Sequence, residues 1–201
     1  MLCGGASWRM GSPKALVEVG GRPMARRVAD ALTAAGCGRV VLVGGSPSWA
    51  EHLDLDRVDD RWPGEGPLGG LATALLDGPG PTDTGQTVVL VAACDQPWLD
   101  PTDLARLVAA LTTSPEADGA TARTIDGRTH PFPSAWRAEA GPAVAELVRD
   151  GARRADAALV AVRTVAVAVG AGTVADVDTA ADLPTDDGGA GPGAGPPPPG
   201  R

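Results

Sequence analysis

Apolar residues recur along this chain with two different periods. In RPMARRVADALTAAG, Met24, Val28, Leu32 and Ala35 return at helical spacing with Ala31 beside them, which predicts a helix. Pro23 suits its first turn and Gly36 its stop. RVVLVGG then reads as a buried strand ending in a glycine turn. GPLGGLATALLDG reads as a short helix entered through glycines, and QTVVLVAACD as the strongest strand of the chain. An unbroken apolar run of that kind suits a parallel sheet covered on both faces. In LDPTDLARLVAAL, Asp100 is a candidate cap, Pro101 fits the first turn, and Leu104, Leu107, Val108 and Leu111 form a helical stripe.

Strand and helix patterns therefore alternate through residue 111, the signature of an α/β domain with a mostly parallel sheet. The second half is less regular. DGATARTIDGRTHPFPSAW holds two extended segments around Asp126-Gly127, a favoured turn pair, and EAGPAVAELVRDG reads as a helix. ALVAVRTVAVAVG has strand character interrupted by Arg163 and Thr164, and TVADVDTAADL leads to the end of the patterned region. One mixed sheet in residues 1–183 is expected, not two domains. The tail, residues 184–201, is rich in glycine and proline, cannot build a core, and is expected to be disordered.

Composition narrows the function. The chain has 201 residues, 43% hydrophobic, with only 3% aromatic and no tyrosine, so its core must be mostly Val, Leu and Ala. Seventeen Lys and Arg against 25 Asp and Glu give a net charge of -8. No basic stripe of the kind nucleic-acid binders carry is visible, and the charge argues against anionic membranes. A local cationic pocket for an anionic small molecule is still compatible with that charge. Cys3, Cys37 and Cys94 share no metal-ligand spacing and, being odd in number, no disulfide framework, which suits a reducing cytoplasm. No signal peptide is recognised and no apolar run approaches membrane-spanning length. With only His52 and His130 present, a three-histidine metal site is excluded.

The chemistry concentrates in three polar stretches after strands, where ligands of open α/β sheets bind. The first is the opening MLCGGASWRMGSPK. Glycines let a backbone approach a ligand and expose successive N–H groups, while Arg9 and Lys14 add positive charge. This is neither the GxxxxGK[ST] phosphate loop nor the GxGxxG dinucleotide fingerprint. A phosphate-binding loop and a purely structural glycine loop both fit these residues. The second stretch is DDRWPGEGPLGG, with Asp60 and the helix-starting pair Gly69-Gly70. The third is CDQP, in which Asp95 follows the strongest strand and is well placed to hold Mg²⁺, a hard ion that favours oxygen ligands. Asp176 and Asp178, two apart in an extended segment, point to one face and are candidate partners for it. Cys94 reads as a packing residue.

The loop LCGGASWRMGSPK, with DRWPGEGPLGGLATAL, CDQPWL, His130-Pro131 and VADVDTAADL in that order, resembles the MobA-like NTP transferases, which include molybdenum cofactor guanylyltransferases and molybdopterin cytidylyltransferases. The resemblance covers roughly residues 2 to 183. It implies a three-layer α/β/α sandwich with a mostly parallel, Rossmann-like sheet. It implies transfer of GMP from GTP to the phosphate of molybdopterin, with magnesium and release of pyrophosphate. By the same resemblance Arg9 and Lys14 are catalytic. Leu2, Gly4, Gly5, Lys14, Asp60, Gly69 and Asp95 bind the nucleotide, and Asp95, Asp176 and Asp178 are the metal candidates, with Asp60 near the base or the ribose. Arg153 and Arg154 match a basic pair near the molybdopterin phosphate, and His130 is a candidate for the acceptor side. The implied acceptor is molybdopterin or the molybdenum cofactor, and the implied protein partners are cofactor carriers or target molybdoenzymes. A cytoplasmic monomer without nucleic-acid or membrane partners is expected.

Two other readings stand beside this one. GPLGGL leans toward guanine, whereas Pro13 in GSPK is common in the cytidylyltransferases, so cytidylyl transfer or transfer to another acceptor is the first alternative. Only Met1, Leu2 and Cys3 precede the first loop, where members of the family have a full strand. Either the true start lies upstream, or the first strand is clipped and the central sheet weakened, and a noncatalytic nucleotide-binding domain is then the second alternative.

Overall fold

The computed structural model describes residues 1–4, 13–78 and 87–183. Gly5, Trp8, Arg9 and the 184–201 tail lie outside the described residues. The described strands are β1 (Val41–Val43), β2 (Asp56–Val58), β3 (Val88–Val91), β4 (Gly119–Arg123), β5 (Thr129–Arg137) and β6 (Thr164–Ala168). The helices are α1 (Met24–Ala34), α2 (Pro47–Leu53), α3 (Gly66–Asp77), α4 (Pro101–Thr113), α5 (Gly141–Arg149) and α6 (Asp156–Ala161).

β1 and β2 form a parallel pair, and β3-β5-β4-β6 form a second sheet. In that sheet β5 runs antiparallel to both neighbours and β4 runs parallel to β6. The chain start joins the two. Leu2 bridges in parallel to Val43 on one side and Ala93 on the other. Its N–H donates to Ala92 O at 2.8 Å, its carbonyl accepts from Cys94 at 3.0 Å, and Cys3 donates to Val43 O at 2.9 Å. The continuous order is therefore β2-β1-(Met1–Cys3)-β3-β5-β4-β6, parallel-rich and mixed as expected. Met1, Leu2 and Cys3 are all buried in this joint. The α-ammonium of Met1 is buried too, donating to Val41 O at 2.8 Å, and burial lowers its pKa.

Successive residues of β3 feed two cores, as the alternation of strand side chains requires. Val88 and Leu90 face a core built from α1 and α4, including Val28, Leu32, Leu104, Leu107 and Leu111. Val89 and Val91 face the core of α3 and α5, including Leu68, Leu71, Val144 and Val148. Helices thus cover both faces of the sheet, giving three layers. Trp136, from β5, is fully buried and donates its indole N–H to Ser134 Oγ at 2.8 Å. Asp100 caps α4 by accepting from Thr102 N at 2.8 Å, with Pro101 in the first turn.

The structure corrects the strand reading of ALVAVRTVAVAVG in its first half. Residues Asp156–Ala161 are helical, and the strand begins only at Thr164. The alanine-rich run DAALVA favours helix locally. The change comes at Arg163, whose carbonyl accepts from Asp118 at 2.7 Å and starts the pairing with β4. α2 and β2 were not foreseen; β2 is short, polar and held mainly by its pairing with β1.

Candidate active site

The carboxyl ends of the Met1–Cys3 segment, β1 and β3 open into a cavity of about 1140 Å³. Leu2, Gly4, Pro13, Lys14, Asp60, Gly70, Asp95 and Asp176 all line it. A smaller cleft of about 390 Å³ opens at the other ends of β1 and β3. Its walls are apolar, with Arg39 the sole charged side chain among its described lining residues. It offers no carboxylate chemistry, so the larger cavity is the candidate site.

Lys14 is one of its lining residues. Pro13 leads into a short 3-10 turn, Lys14–Leu16, anchored by buried Ala15. From there the Lys14 ammonium donates to Asp178 Oδ1 at 2.6 Å and to Asp95 Oδ2 at 3.2 Å. Its side chain is 10% exposed, against 23% for Asp95 and 63% for Asp178. Burial works against the lysine's charge, but the hydrogen bonds and fields of the two carboxylates outweigh it and raise its pKa. For Asp95 burial is the largest influence and raises the pKa. Lys14 pulls the other way, and the field of Asp176 adds to the rise. The Asp95 carboxylate is thus under-neutralised by its lysine, and a further cation beside it would be stabilised.

The turn carrying Asp95 is clamped from several sides. Gln96, buried, accepts from Ala93 N at 3.1 Å and donates to Phe132 O at 3.2 Å. The guanidinium of Arg27 donates to Pro97 O at 3.1 Å. The Asp95 carbonyl accepts from Val177 N at 2.9 Å, which draws the 176–178 segment across the site. Val177 turns into a small core with Val19 and Met24, leaving Asp176 and Asp178 on the opposite side of the segment, as predicted. Their surroundings differ. Asp176 lines the cavity, whereas Asp178 pairs with Lys14 and is not among the lining residues. Asp182, in the 3-10 turn Ala180–Asp182, reaches back to accept from the N–H groups of Asp178 and Thr179, at 3.0 and 2.7 Å.

Asp60 faces the cavity from the loop after β2. Its Oδ1 accepts from Trp62 N and from Thr73 Oγ1, each at 3.0 Å. Its Oδ2 points toward Gly4, 3.6 Å from where a Cβ would stand there, so the glycine leaves room beside the carboxylate. Gly69 and Gly70, expected to start the helix, lie a turn inside α3, which begins at Gly66, and they serve different ends. A Cβ at Gly69 would lie 3.0 Å from Trp62 Cβ, so Gly69 admits the Trp62 loop and is not a lining residue; Gly70 is, and it packs on Leu2. At the entry to α3 the Leu68 N–H is taken by Arg153 O at 3.1 Å.

The basic pair Arg153-Arg154 is occupied within the protein. Arg153 pairs with Glu65 and donates to Val148 O and Ala152 O, and Arg154 pairs with Asp156. His130 shares a 3.0 Å hydrogen bond between its Nε2 and Thr124 Oγ1, and burial lowers its pKa. It is not among the residues lining the cavity. Cys94 packs as expected, and its thiol is pushed well above its ordinary range by a hydrogen bond with Cys3 and by burial. Thr73 and Arg27 escaped the sequence reading. A buried threonine in the apolar run GGLATALL was the available signal for the first.

Among the described residues no three His, Cys, Asp or Glu side chains converge into a ready metal cluster. Mg²⁺ does not need one, since it is held by one or two carboxylates together with water and substrate phosphates. Asp95 and Asp176, at the wall of one cavity, fit that donor set.

The profile of the MobA-like NTP transferase domain matches residues 1–190. The chain is 35% identical over 109 residues to the molybdenum cofactor guanylyltransferase of Xanthomonas euvesicatoria pv. vesicatoria, covering 54% of this chain and 52% of that protein. It is 34% identical over 137 residues to the molybdenum cofactor guanylyltransferase of Rhizobium meliloti, covering 68% and 61%. The chain thus spans between about half and three fifths of the length of these curated relatives. Among solved structures it resembles the molybdopterin-guanine dinucleotide biosynthesis protein A of Archaeoglobus fulgidus, with a TM-score of 0.64, 21% identity, and coverage of 84% of this chain and 81% of that one. That likeness concerns the fold.

Proposed function

The chain belongs to the MobA-like NTP transferase family, and from that premise we propose that it transfers GMP from GTP to the phosphate of molybdopterin, releasing pyrophosphate. The observation that carries the reading is Lys14, held between Asp95 and Asp178 at the wall of a cavity bordered by Gly4. The names of the relatives support guanine as the base and an acceptor of the molybdenum cofactor class.

Such a transfer requires charge to be neutralised on a triphosphate and on an incoming phosphate. Lys14 supplies a cation at the cavity wall, and Arg9 is assigned the same role from the sequence. Their charge, with loop N–H groups, stabilises what develops when an acceptor phosphate oxygen attacks the α-phosphorus in line. The acceptor is already anionic, so no strong general base is demanded. Mg²⁺ would be held by Asp95 with Asp176, and when bound it supplies Lewis-acid charge to the phosphates. Asp178 then serves as the anchor of the Lys14 ammonium. Asp60 receives a donor of the nucleoside on Oδ2.

The test is turnover. Purified protein with GTP, Mg²⁺ and molybdopterin is expected to release pyrophosphate in an acceptor-dependent manner. Absence of release under these conditions would contradict the reading and favour a noncatalytic nucleotide-binding domain.

A further inference from the structure

Thr73 lies in α3, where its neighbours Leu71, Ala72, Ala74 and Leu75 are all buried and apolar, and it is itself 0% exposed. A hydroxyl in such surroundings costs free energy unless it is hydrogen-bonded, and valine would fill the same volume without that demand. The Thr73 hydroxyl is fully engaged. Its oxygen accepts from Arg61 N at 3.1 Å. Its single proton lies within reach of Asp60 Oδ1 and of Gly69 O, both at 3.0 Å. Of these two acceptors the carboxylate gives the stronger, charge-assisted bond.

Asp60 Oδ1 thus takes two donors, Thr73 Oγ1 and Trp62 N, from two different elements. Two fixed donors on one oxygen set the rotation of the whole carboxylate. Oδ2 is left facing Gly4, and among the described residues it has no protein donor. We propose that Thr73 is a positioning residue of the nucleotide site: it locks Asp60 so that one carboxylate oxygen, Oδ2, is presented to a donor group of the nucleoside. The inference rests on the reading that Asp60 faces the bound nucleotide.

The experiment is equilibrium binding of GTP, in the presence of Mg²⁺, to the parent protein and to T73V, T73S, T73A and D60A, with steady-state kinetics and thermal melting alongside. T73V is expected to weaken GTP binding by about tenfold, the scale of one charge-assisted hydrogen bond. KM for GTP rises in the same ratio, and kcat stays within about twofold. T73S, which keeps the hydroxyl, stays within about twofold of the parent in affinity. T73A carries the same expectation as T73V, so a folding failure of one variant leaves the other to decide. In a D60A background, T73V adds no further loss, because its effect passes through that carboxylate. Parent-like GTP affinity in T73V or T73A, with the loss retained in D60A, overturns the inference while leaving Asp60 at the nucleotide. Parent-like affinity in D60A overturns the reading beneath it, and the inference with it.

Discussion

Replacing Lys14 with methionine removes one ammonium while keeping the length and most of the packing of a side chain that is only 10% exposed. Two ion pairs go with it. At an effective dielectric of 20 the raw attraction in a pair of this kind is about 4 kcal/mol, most of it offset by desolvation. The Asp178 partner is 63% exposed and screened, so its share lies at the low end of surface pairs, about 0–1 kcal/mol. Asp95 is more enclosed, and removing its only described counter-charge leaves a carboxylate whose pKa burial already raises. We expect a net loss of about 1–2 kcal/mol at pH 7, a fall in Tm of roughly 2–8 °C for a chain of this size. The sign with pH follows from the same groups. Without Lys14 the pKa of Asp95 in the folded protein rises further above its ordinary 3.8. A raised pKa gives stability that is present below the unfolded value and lost as pH rises through the folded one. K14M is therefore closest to the parent in acid and falls behind toward neutrality. Turnover is expected to drop by about 10²–10³-fold, as when one preorganised transition-state donor is lost. Denaturant titrations at several pH values and pyrophosphate release read the two effects separately. Parent-like turnover in K14M, with GTP saturating, refutes the role given to Lys14.

Three further outcomes follow from the site. Asp95→Asn and Asp176→Asn should each raise the Mg²⁺ concentration needed for half-maximal activity by about tenfold or more, whereas Asp178→Asn should leave it within about twofold, since its carboxylate serves Lys14; three coincident magnesium titrations would remove the metal assignment. Asp60→Asn should weaken GTP by roughly tenfold or more, and measuring CTP beside it separates a base contact, with unequal loss, from a ribose contact, with equal loss; no loss for either removes Asp60 from the nucleotide site. The Cys94 thiol has a raised pKa in the folded chain, so its contribution is present below the ordinary 9.0 and lost as pH climbs through the folded value. Between those limits the parent should lose stability more steeply than Cys94→Ala, by up to about 1.4 kcal/mol per pH unit, and parallel alkaline profiles would contradict this.

The repeats of strand and helix through residue 111 were legible because each buries a continuous face, and the structure places α1, β1, α3, β3 and α4 in those stretches. What periodicity could not separate is the short elements. α6 is six residues of mostly small apolar side chains, too brief for a period of 3.6 to differ from a strand. α2 carried a readable start, Ser46 before Pro47, with the Ser46 hydroxyl accepting from Ser48 N at 3.3 Å. At the site, Lys14 and Asp95 were legible as charges in loops after strands, and Asp178 as a candidate partner of Asp95 in an extended segment. The ion pair of Lys14 with Asp178 was not legible, because the two are 164 residues apart and are brought together through the Val177 N–H to Asp95 O bond and its small core. The basic pair at 153–154 shows the reverse case, where residue type suggested an anion and local carboxylates and carbonyls take the guanidinium groups instead.

The central claim is guanylyl transfer, and product identity tests it most directly. Protein, Mg²⁺ and molybdopterin are incubated with equal concentrations of GTP and CTP, and the nucleotidyl products are identified by mass spectrometry. The account predicts the guanine dinucleotide of molybdopterin as the dominant product, formed in step with pyrophosphate. A dominant cytosine dinucleotide, or pyrophosphate release without any molybdopterin product, would contradict it.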